Sequence, residues 1–165
     1  MKKIIMVTGG QRSGKSMFAE RMAKALSDHP VYMATAHVED EEFRERVRIH
    51  QARRGAEWTT IEEEKYLSRH TVEGRVVLVD CCTLWLTNFF SDASPLTEIE
   101  AEFDRLTAQD ATFIFVTNEI GLGGTSVNEV QRRFTDMLGA FNQYVADRAD
   151  EVYLLVSGIP MKIKG

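Results

Sequence analysis

At 165 residues the chain has the length of one domain, and its formal net charge of −5 argues against a broad nucleic-acid-binding surface, because such surfaces cluster Lys and Arg. No apolar stretch approaches the roughly 20 residues that span a bilayer, and Gly9 and Gly10 end the first apolar run too early for a signal peptide. Because there is no secretion signal and the two cysteines, Cys81 and Cys82, are adjacent, we expect a reduced, cytoplasmic protein with no stable membrane insertion and no nucleic-acid partner.

Apolar runs alternate with longer amphipathic stretches, which is typical of βαβ units in a mainly parallel α/β sheet. The predicted strands are Lys3–Thr8, Val31–Ala34, Val76–Asp80, Thr112–Thr117 and Glu151–Ser157, with a short terminal strand around Met161–Lys164. The predicted helices are Lys15–Ser27, Glu39–Arg54, Leu96–Ala108 and Asn128–Ala149. Nearly continuous hydrophobic strands indicate a sheet that is covered on both faces.

The stretch TGGQRSGKS follows the first predicted strand and precedes an amphipathic helix. Gly9, Gly14, Lys15 and Ser16 complete the pattern G-x-x-x-x-G-K-[ST], in which backbone N–H groups and a helix N-terminus surround a polyphosphate. The chain is therefore expected to bind a nucleoside triphosphate. The loop residues expected to contact the nucleotide are Gly9, Gly10, Gln11, Arg12, Ser13, Gly14, Lys15 and Ser16.

A magnesium ion bound to the nucleotide would need oxygen ligands from the protein. The Ser16 hydroxyl is one candidate, and Asp80, at the end of the apolar run RVVLVD, is the other. An aspartate at the end of a strand also serves as a turn former or helix cap. With the phosphate loop present, we expect Ser16 and Asp80 to hold Mg²⁺.

Phosphate loops occur in kinases, switches and motors, so the loop does not identify the reaction. No N-K-x-D pattern for guanine recognition is present, and a short chain of this kind favours a small-molecule kinase. Thr117, Asn118 and Glu119 end the fourth predicted strand, where parallel sheets place ligand-contacting groups. The glycines that follow at 121, 123 and 124 predict a mobile or closely approached loop, although an ordinary polar loop would have the same composition.

Five segments together carry a resemblance to one family. They are TGGQRSGKS, VDCCTLWLTN, TNEIGLG, RRFTDMLGAFNQ and VSGIPMKIK, in that order. The chain resembles the bifunctional adenosylcobinamide kinase / adenosylcobinamide-phosphate guanylyltransferase family of cobalamin biosynthesis, and the likeness covers essentially its whole length. The resemblance implies one P-loop α/β domain of RecA type over residues 1–165, assembled as a homotrimer.

Two successive reactions follow from that resemblance. The hydroxyl of the aminopropanol arm of adenosylcobinamide is first phosphorylated from ATP or GTP. GMP is then transferred from GTP onto this phosphate through a histidine–GMP intermediate, which gives adenosylcobinamide-GDP and pyrophosphate.

The second reaction suggests a role for the charged segment RVRIHQARRGAEW, which is otherwise explained as a solvated helix. The residues that fit the family pattern are Arg46, Val47, His50, Arg53, Arg54 and Trp58. His50 is the candidate nucleophile, because an imidazole with a pKa of about 6.5 is largely neutral near pH 7. Arg53 and Arg54 could neutralise the phosphates. By resemblance, the other residues that approach the guanine nucleotide are Ala34, Thr35, Ala36, Glu62 and Asp80.

The sequence departs from the family pattern at two places. Some members have two adjacent histidines, whereas Ile49 precedes His50 here; if the nucleophile belongs at position 49, guanylyl transfer is lost. The segment GLGGTS replaces the usual GLGIVP, so residues 124–126 are expected to place their loop differently.

Several assignments remain open at this point. Lys15 is expected to stabilise the transferred phosphoryl group, while Glu119 and Asp80 are equal candidates for the kinase general base. One nucleotide site or two could serve the reactions, and the phosphate donor is not specified. The alternatives are a kinase of another small molecule, which would form no covalent GMP, and a nucleotide-dependent regulatory module, which would modify no acceptor.

Overall fold

The structure is a computed structural model that describes residues 2–165, and a seven-stranded sheet forms its centre. The strands are β1 (Lys3–Gly9), β2 (Val31–Ala34), β3 (Thr59–Glu62), β4 (Val76–Asp80), β5 (Thr112–Val116), β6 (Glu151–Val156) and β7 (Ile159–Lys164). Their order across the sheet is β3-β2-β4-β5-β1-β6-β7. Neighbouring strands are parallel except β6 and β7, which form an antiparallel hairpin at one edge.

Helices cover both faces of the sheet. They are α1 (Lys15–Leu26), α2 (Glu41–Arg53), α3 (Cys82–Ser91), α4 (Leu96–Thr107) and α5 (Glu129–Arg148). On one face, α1 packs against strand side chains such as Ile5 and Leu78. On the other face, α3, α4 and α5 pack against alternate side chains such as Met6 and Val79. This arrangement confirms the predicted doubly covered, mainly parallel sheet.

Helix α2 differs from the others because none of its residues is buried. It begins at an Asp40 cap, whose side chain accepts a hydrogen bond of 2.7 Å from the backbone N–H of Phe43. Charged pairs one turn apart, such as Arg44 with Glu41, lie along its solvent-facing side. The predicted solvated helix is therefore confirmed, with its ends moved inward to residues 41 and 53.

Two elements of the structure were not predicted from the sequence. Strand β3 is short and mostly exposed, and α3 begins two residues after Asp80. Trp85 and Leu86 are fully buried, as expected for packing between layers, but they lie on this additional helix. Predicted strands and helices otherwise agree with the structure within about two residues at each end. Across residues 2–165, none of the helices is both long enough and apolar enough to cross a membrane.

Candidate active site

The carboxyl ends of the central strands meet at one edge of the sheet. In the register of the sheet, Ala34 on β2 pairs with Asp80 on β4, and Asp80 pairs with Val116 on β5. Val116 is in turn level with Val7 on β1, just before the glycine-rich loop. Parallel sheets bind ligands at this edge because the loops that follow the strands converge there.

The glycine-rich loop has the geometry of a phosphate cradle. Gly9 is in a conformation with φ of 154°, and an added Cβ would lie 2.6 Å from the carbonyl oxygen of Leu155. Gly14 precedes α1 with φ of 94°, in the left-handed region that favours glycine. The first N–H groups of α1 therefore open onto the loop, where they can bind an anion. Within residues 2–165 the buried Ser13 hydroxyl has no hydrogen-bond partner, which leaves it free to contact a phosphate oxygen.

Lys15 lies inside this loop. Its ammonium group is buried and donates a hydrogen bond of 2.7 Å to the carbonyl oxygen of Gly10. Burial lowers the pKa of Lys15, although the nearby Asp80 carboxylate opposes this effect. A bound polyphosphate would supply the negative charge that this desolvated cation lacks.

A cavity of about 370 Å³ adjoins the loop and brings the main predicted residues together. Ser16 from α1, Asp80 from β4 and His50 from α2 all contribute to its wall. The other lining residues that were named from the sequence are Gln11, Ala34, Ala36, Arg46, Val47, Arg54 and Asn118. The phosphate loop and the candidate nucleophile thus face one common space.

Asp80 is held by a side chain that sequence reasoning missed. The buried Tyr32 hydroxyl donates a hydrogen bond of 2.9 Å to Asp80 Oδ2. Burial and then the Asp80 carboxylate raise the pKa of Tyr32, so the phenol remains a hydrogen-bond donor. The Arg54 guanidinium lies 3.4 Å from the centre of the Tyr32 ring. Within residues 2–165, the buried Nε and Nη1 of Arg54 have no hydrogen-bond partner and are available to an anion.

The oxygen atoms at the site suit magnesium. Ser16 and Asp80 line the same cavity, and Asp80 Oδ1 is not engaged by Tyr32. Across residues 2–165, no group of three or more His, Cys, Asp and Glu side chains could hold a metal ion. The Ser16 hydroxyl and one Asp80 oxygen are the kind of ligands Mg²⁺ takes, since it is commonly bound through one or two carboxylates together with substrate phosphates.

His50 lies near the end of α2 and faces the cavity, whereas its neighbour Ile49 is 60% exposed and does not line it. The Arg53 Nη2 atom lies 3.3 Å from His50 Nδ1 and 3.1 Å from Glu20 Oε1. Glu20 belongs to α1, so this chain of contacts ties the histidine to the helix that follows the phosphate loop. Of these two neighbours, only His50 lines the cavity.

Of the predicted nucleotide contacts that lie outside the phosphate loop, three do not line the cavity. Thr35 is buried and donates a hydrogen bond of 2.9 Å to the Cys81 carbonyl oxygen. Glu62 accepts a hydrogen bond of 3.3 Å from Gln51, which does line the cavity. Arg53 is directed toward His50 and Glu20. In this arrangement they position other groups of the site.

Thr117, Asn118 and Glu119 do lie beside the phosphate loop, as the sequence predicts. Glu119 Oε1 accepts a hydrogen bond of 3.0 Å from the Thr8 hydroxyl, and its backbone N–H donates one of 3.0 Å to Gly9. Asn118 lines the cavity, and Thr117 is fixed by a 2.7 Å hydrogen bond to Asn142 of α5. The loop that begins at Gly121 lies against α5 and does not line the nucleotide cavity.

Other cavity residues had little or no signal in the sequence. Phe43 and Gln51 come from α2, while Thr83 and Leu84 come from the unpredicted α3. Tyr32 could have been found, because it shares a strand face with Ala34, two residues further on. Burial raises the pKa of Cys81 to about 12 and that of Cys82 well above its usual value, which agrees with packing roles for both.

Comparison with known proteins identifies relatives over the whole chain. A family model described as cobinamide kinase / cobinamide phosphate guanyltransferase matches residues 5–163. The chain is 41% identical over 167 residues to the bifunctional adenosylcobalamin biosynthesis protein CobP of Pseudomonas aeruginosa, covering 97% of this chain and 96% of that protein. It is 35% identical over 181 residues to the corresponding protein CobU of Escherichia coli, covering 98% and 99%.

Solved structures with the same fold are more distant in sequence. The flagellar accessory protein FlaH from Methanocaldococcus jannaschii superimposes with a TM-score of 0.53 at 15% identity, covering 98% of this chain and 78% of that chain. An ATPase from the type III secretion system of pathogenic bacteria gives a TM-score of 0.59 at 11% identity, covering 93% and 51%. These likenesses confirm the P-loop NTPase fold.

Proposed function

The chain belongs to the cobinamide kinase / cobinamide phosphate guanyltransferase family and carries both activities in cobalamin biosynthesis; we propose that one nucleotide cavity serves both reactions and that His50 carries GMP between them. The observation that supports this proposal is the common cavity of about 370 Å³ lined by Ser16, Asp80 and His50. Residues 1–165 then act as one catalytic domain on adenosylcobinamide and its phosphate.

For the kinase reaction, we propose that the phosphate loop holds ATP or GTP with Lys15 against the transferred phosphoryl group. Ser16 and Asp80 would hold Mg²⁺, which neutralises charge on the phosphates when bound. Because Asp80 is engaged with Tyr32 and the metal site, Glu119 is the better candidate for the general base. It lies beside the loop, where it can accept the proton of the aminopropanol hydroxyl.

For guanylyl transfer, an imidazole nitrogen of His50 attacks the α-phosphorus of GTP. A nitrogen–phosphorus bond forms, the bond to the bridging oxygen breaks, and pyrophosphate leaves. A phosphate oxygen of adenosylcobinamide phosphate then attacks the same phosphorus and releases His50. Arg54 would stabilise the developing charge, a role supported by its buried N–H groups that lack partners within residues 2–165.

We also propose that the chain assembles as a homotrimer, as the family resemblance implies. The β6–β7 hairpin supports self-association, because it exposes a group of apolar side chains at one sheet edge. These are Val156, Ile159, Met161 and Ile163. Sedimentation of the purified protein tests this assembly, and a monomer at micromolar concentration would contradict it.

The histidine intermediate is tested with GTP labelled on the α-phosphate, mixed with protein and magnesium in the absence of any corrinoid. We expect acid-labile, alkali-stable label on the wild-type protein, none on His50→Ala, and full labelling of Ile49→Ala and the matched control His37→Ala. A wild-type protein that binds GTP and phosphorylates cobinamide but takes up no label would overturn the histidine–GMP route.

A further inference from the structure

A second concave surface adjoins the nucleotide cavity. We name it the α5 groove; it lies between residues 120–126 and the amino-terminal two-thirds of α5, and it measures about 700 Å³. Asn118 lines the nucleotide cavity and Ile120 lines the α5 groove, so only Glu119 separates the two along the chain. A molecule in the groove could therefore extend a flexible arm past Glu119 to the phosphate loop.

The sizes of the two spaces differ in a way that suits two substrates. Pockets for small ligands measure roughly 300–1,000 Å³, and the nucleotide cavity of about 370 Å³ is near the lower end of this range. Once a nucleotide occupies this cavity, the macrocycle needs a second surface. The α5 groove, at about 700 Å³, lies within the range for ligand pockets and offers such a surface.

The loop wall of the groove is attached firmly to α5. Arg132 Nη1 donates hydrogen bonds of 3.0 Å and 2.9 Å to the carbonyl oxygens of Ser126 and Val127. Asn128 then caps α5 by accepting a 3.0 Å hydrogen bond from the Gln131 backbone N–H. The groove is thus a preformed feature of the fold.

The floor of the groove contains a glycine that packing within the chain does not require. Gly139 lies in the interior of α5, where glycine destabilises a helix relative to alanine. A Cβ at this position would meet nothing within 4 Å. The missing side chain leaves the backbone of α5 open to close approach by a ligand at this point.

The polar side chains around the floor are available to a ligand. Arg133, Asp136 and Gln143 line the groove, and within residues 2–165 they make no hydrogen bond or ion pair. Cobinamide is a corrin macrocycle rimmed by primary amides, and these amides both donate and accept hydrogen bonds. Arg133 and Asp136 offer donors and acceptors respectively, and Gln143 offers both, so this lining fits a polar-rimmed substrate.

We propose that the α5 groove binds the corrin macrocycle of cobinamide, with its aminopropanol arm directed past Glu119 to the phosphate loop. This inference rests on the proposed function, because it names where the shared corrinoid substrate lies in both reactions. In this arrangement the macrocycle covers Gly139 while the nucleotide occupies the neighbouring cavity.

The test uses the full chain with Gly139→Leu, which fills the floor of the groove. Its matched control is Asp147→Leu, which places leucine two turns further along α5 at a side chain that is 84% exposed. Cobinamide binding is followed by equilibrium dialysis and its visible absorbance, and His50 labelling is measured with GTP alone. We expect Gly139→Leu to raise the cobinamide Kd and KM by about tenfold or more. Its His50 labelling by GTP should stay within about twofold of wild type, as should the cobinamide Kd and KM of Asp147→Leu.

A second variant, Gln143→Ala, removes one amide without adding bulk and is expected to raise the cobinamide Kd by about fivefold. Folded Gly139→Leu and Gln143→Ala proteins that bind cobinamide like wild type would overturn the groove assignment and leave the proposed function standing. A Gly139→Leu protein with a changed sedimentation mass would overturn it in favour of an interface between copies. A wild-type protein that phosphorylates no cobinamide would instead overturn the proposed function.

Discussion

The Tyr32 hydroxyl is 2.9 Å from Asp80 Oδ2 and fixes the orientation of the carboxylate that we assign to magnesium. The Tyr32 ring is itself held between the Arg54 guanidinium and Trp58, whose ring centre lies 6.1 Å away. Arg54, which caps the C-terminus of α2, therefore contacts Tyr32, the side chain that orients Asp80. The C-terminal end of α2, the helix that carries His50, and the proposed magnesium ligand Asp80 are thus connected through one tyrosine.

We expect Tyr32→Phe to weaken magnesium-dependent nucleotide binding without affecting binding in the absence of the metal. Removal of a hydrogen bond to a charged group costs about 1.5–3 kcal/mol, and part of that loss should appear as a roughly tenfold higher magnesium requirement. Titration of magnesium against a fluorescent GTP analogue measures this requirement. If the midpoint of the magnesium titration is the same for Tyr32→Phe and wild type, Asp80 does not need Tyr32 for its orientation.

The contact between Arg53 and His50 predicts which imidazole nitrogen becomes guanylylated. Arginine only donates hydrogen bonds, so its approach to 3.3 Å from Nδ1 places the lone pair of the neutral ring on Nδ1 and the proton on Nε2. When the phosphates of GTP attract the Arg53 guanidinium, Nδ1 becomes free to attack. NMR of the guanylylated protein should show phosphorus coupled through Nδ1, and attachment at Nε2 would contradict this assignment.

Glu119→Gln should separate the two reactions. The amide can still accept the Thr8 hydrogen bond, which is 3.0 Å long in the structure, but it cannot accept a proton from the substrate. We expect kcat for cobinamide phosphorylation to fall about 100-fold, while labelling of His50 by GTP stays near wild type. Equal losses in both assays would indicate a structural defect, and an unaffected kinase would favour Asp80 as the base.

Adjacent glycines in the phosphate loop offer a matched pair of substitutions. Gly9→Ala would place a methyl group 2.6 Å from the Leu155 carbonyl oxygen and 2.8 Å from Ser13 Oγ, whereas a methyl group at Gly10 meets nothing within 4 Å. We therefore expect Gly9→Ala to weaken nucleotide binding by about tenfold or more and Gly10→Ala to weaken it by clearly less. Calorimetric titration of both variants with GTP checks the difference, and equal affinities would contradict the packing argument.

The stability of the sheet edge should depend on pH through Glu151. Hydrogen bonds from Lys162 and then Lys3 lower the pKa of Glu151 to about 2, from an ordinary value of 4.5. Because the pKa is lower in the folded state, the ionised carboxylate stabilises the fold above about pH 4.5, and this contribution is lost between about pH 4.5 and pH 2. Urea unfolding should show Glu151→Gln to be less stable than wild type near pH 7, with the gap closing across that acid range.

The exposed Asp28 supplies the control for the acid-stability experiment. Asp28→Asn should have the same free energy of unfolding as wild type at each pH within about 0.5 kcal/mol, as for other surface substitutions. A constant gap for Glu151→Gln across the acid range would show that its effect does not arise from the two lysine contacts.

The phosphate loop and the central strands could be predicted because their sequence signals are local. Gly9, Gly14, Lys15 and Ser16 have a fixed spacing that few other structures require, and strands such as β4 are short runs of buried aliphatic residues. Helix α3 could not be recognised in the same way. Its segment CTLWLTNFFS is apolar on most sides, so it lacks the period of an amphipathic helix.

The candidate site was harder to predict where it depends on tertiary contacts. Strand β3 is exposed and polar, so only its pairing with β2 identifies it. The sequence pattern of α2 does not show which side of the helix faces the cavity, because the helix has no buried residue. That His50 faces the cavity and Ile49 faces solvent therefore became clear only from the structure.

Helix α2 has no buried residues, and this affects how freely its sequence can evolve. Most substitutions lower the stability of a protein when they disturb its core, and activity is often limited by that cost. Since α2 contributes no side chain to the core, its positions can change with little effect on whether the chain folds. Natural selection can therefore adjust the residues around His50 with little penalty in stability, whereas the phosphate loop is attached directly to the buried strand β1.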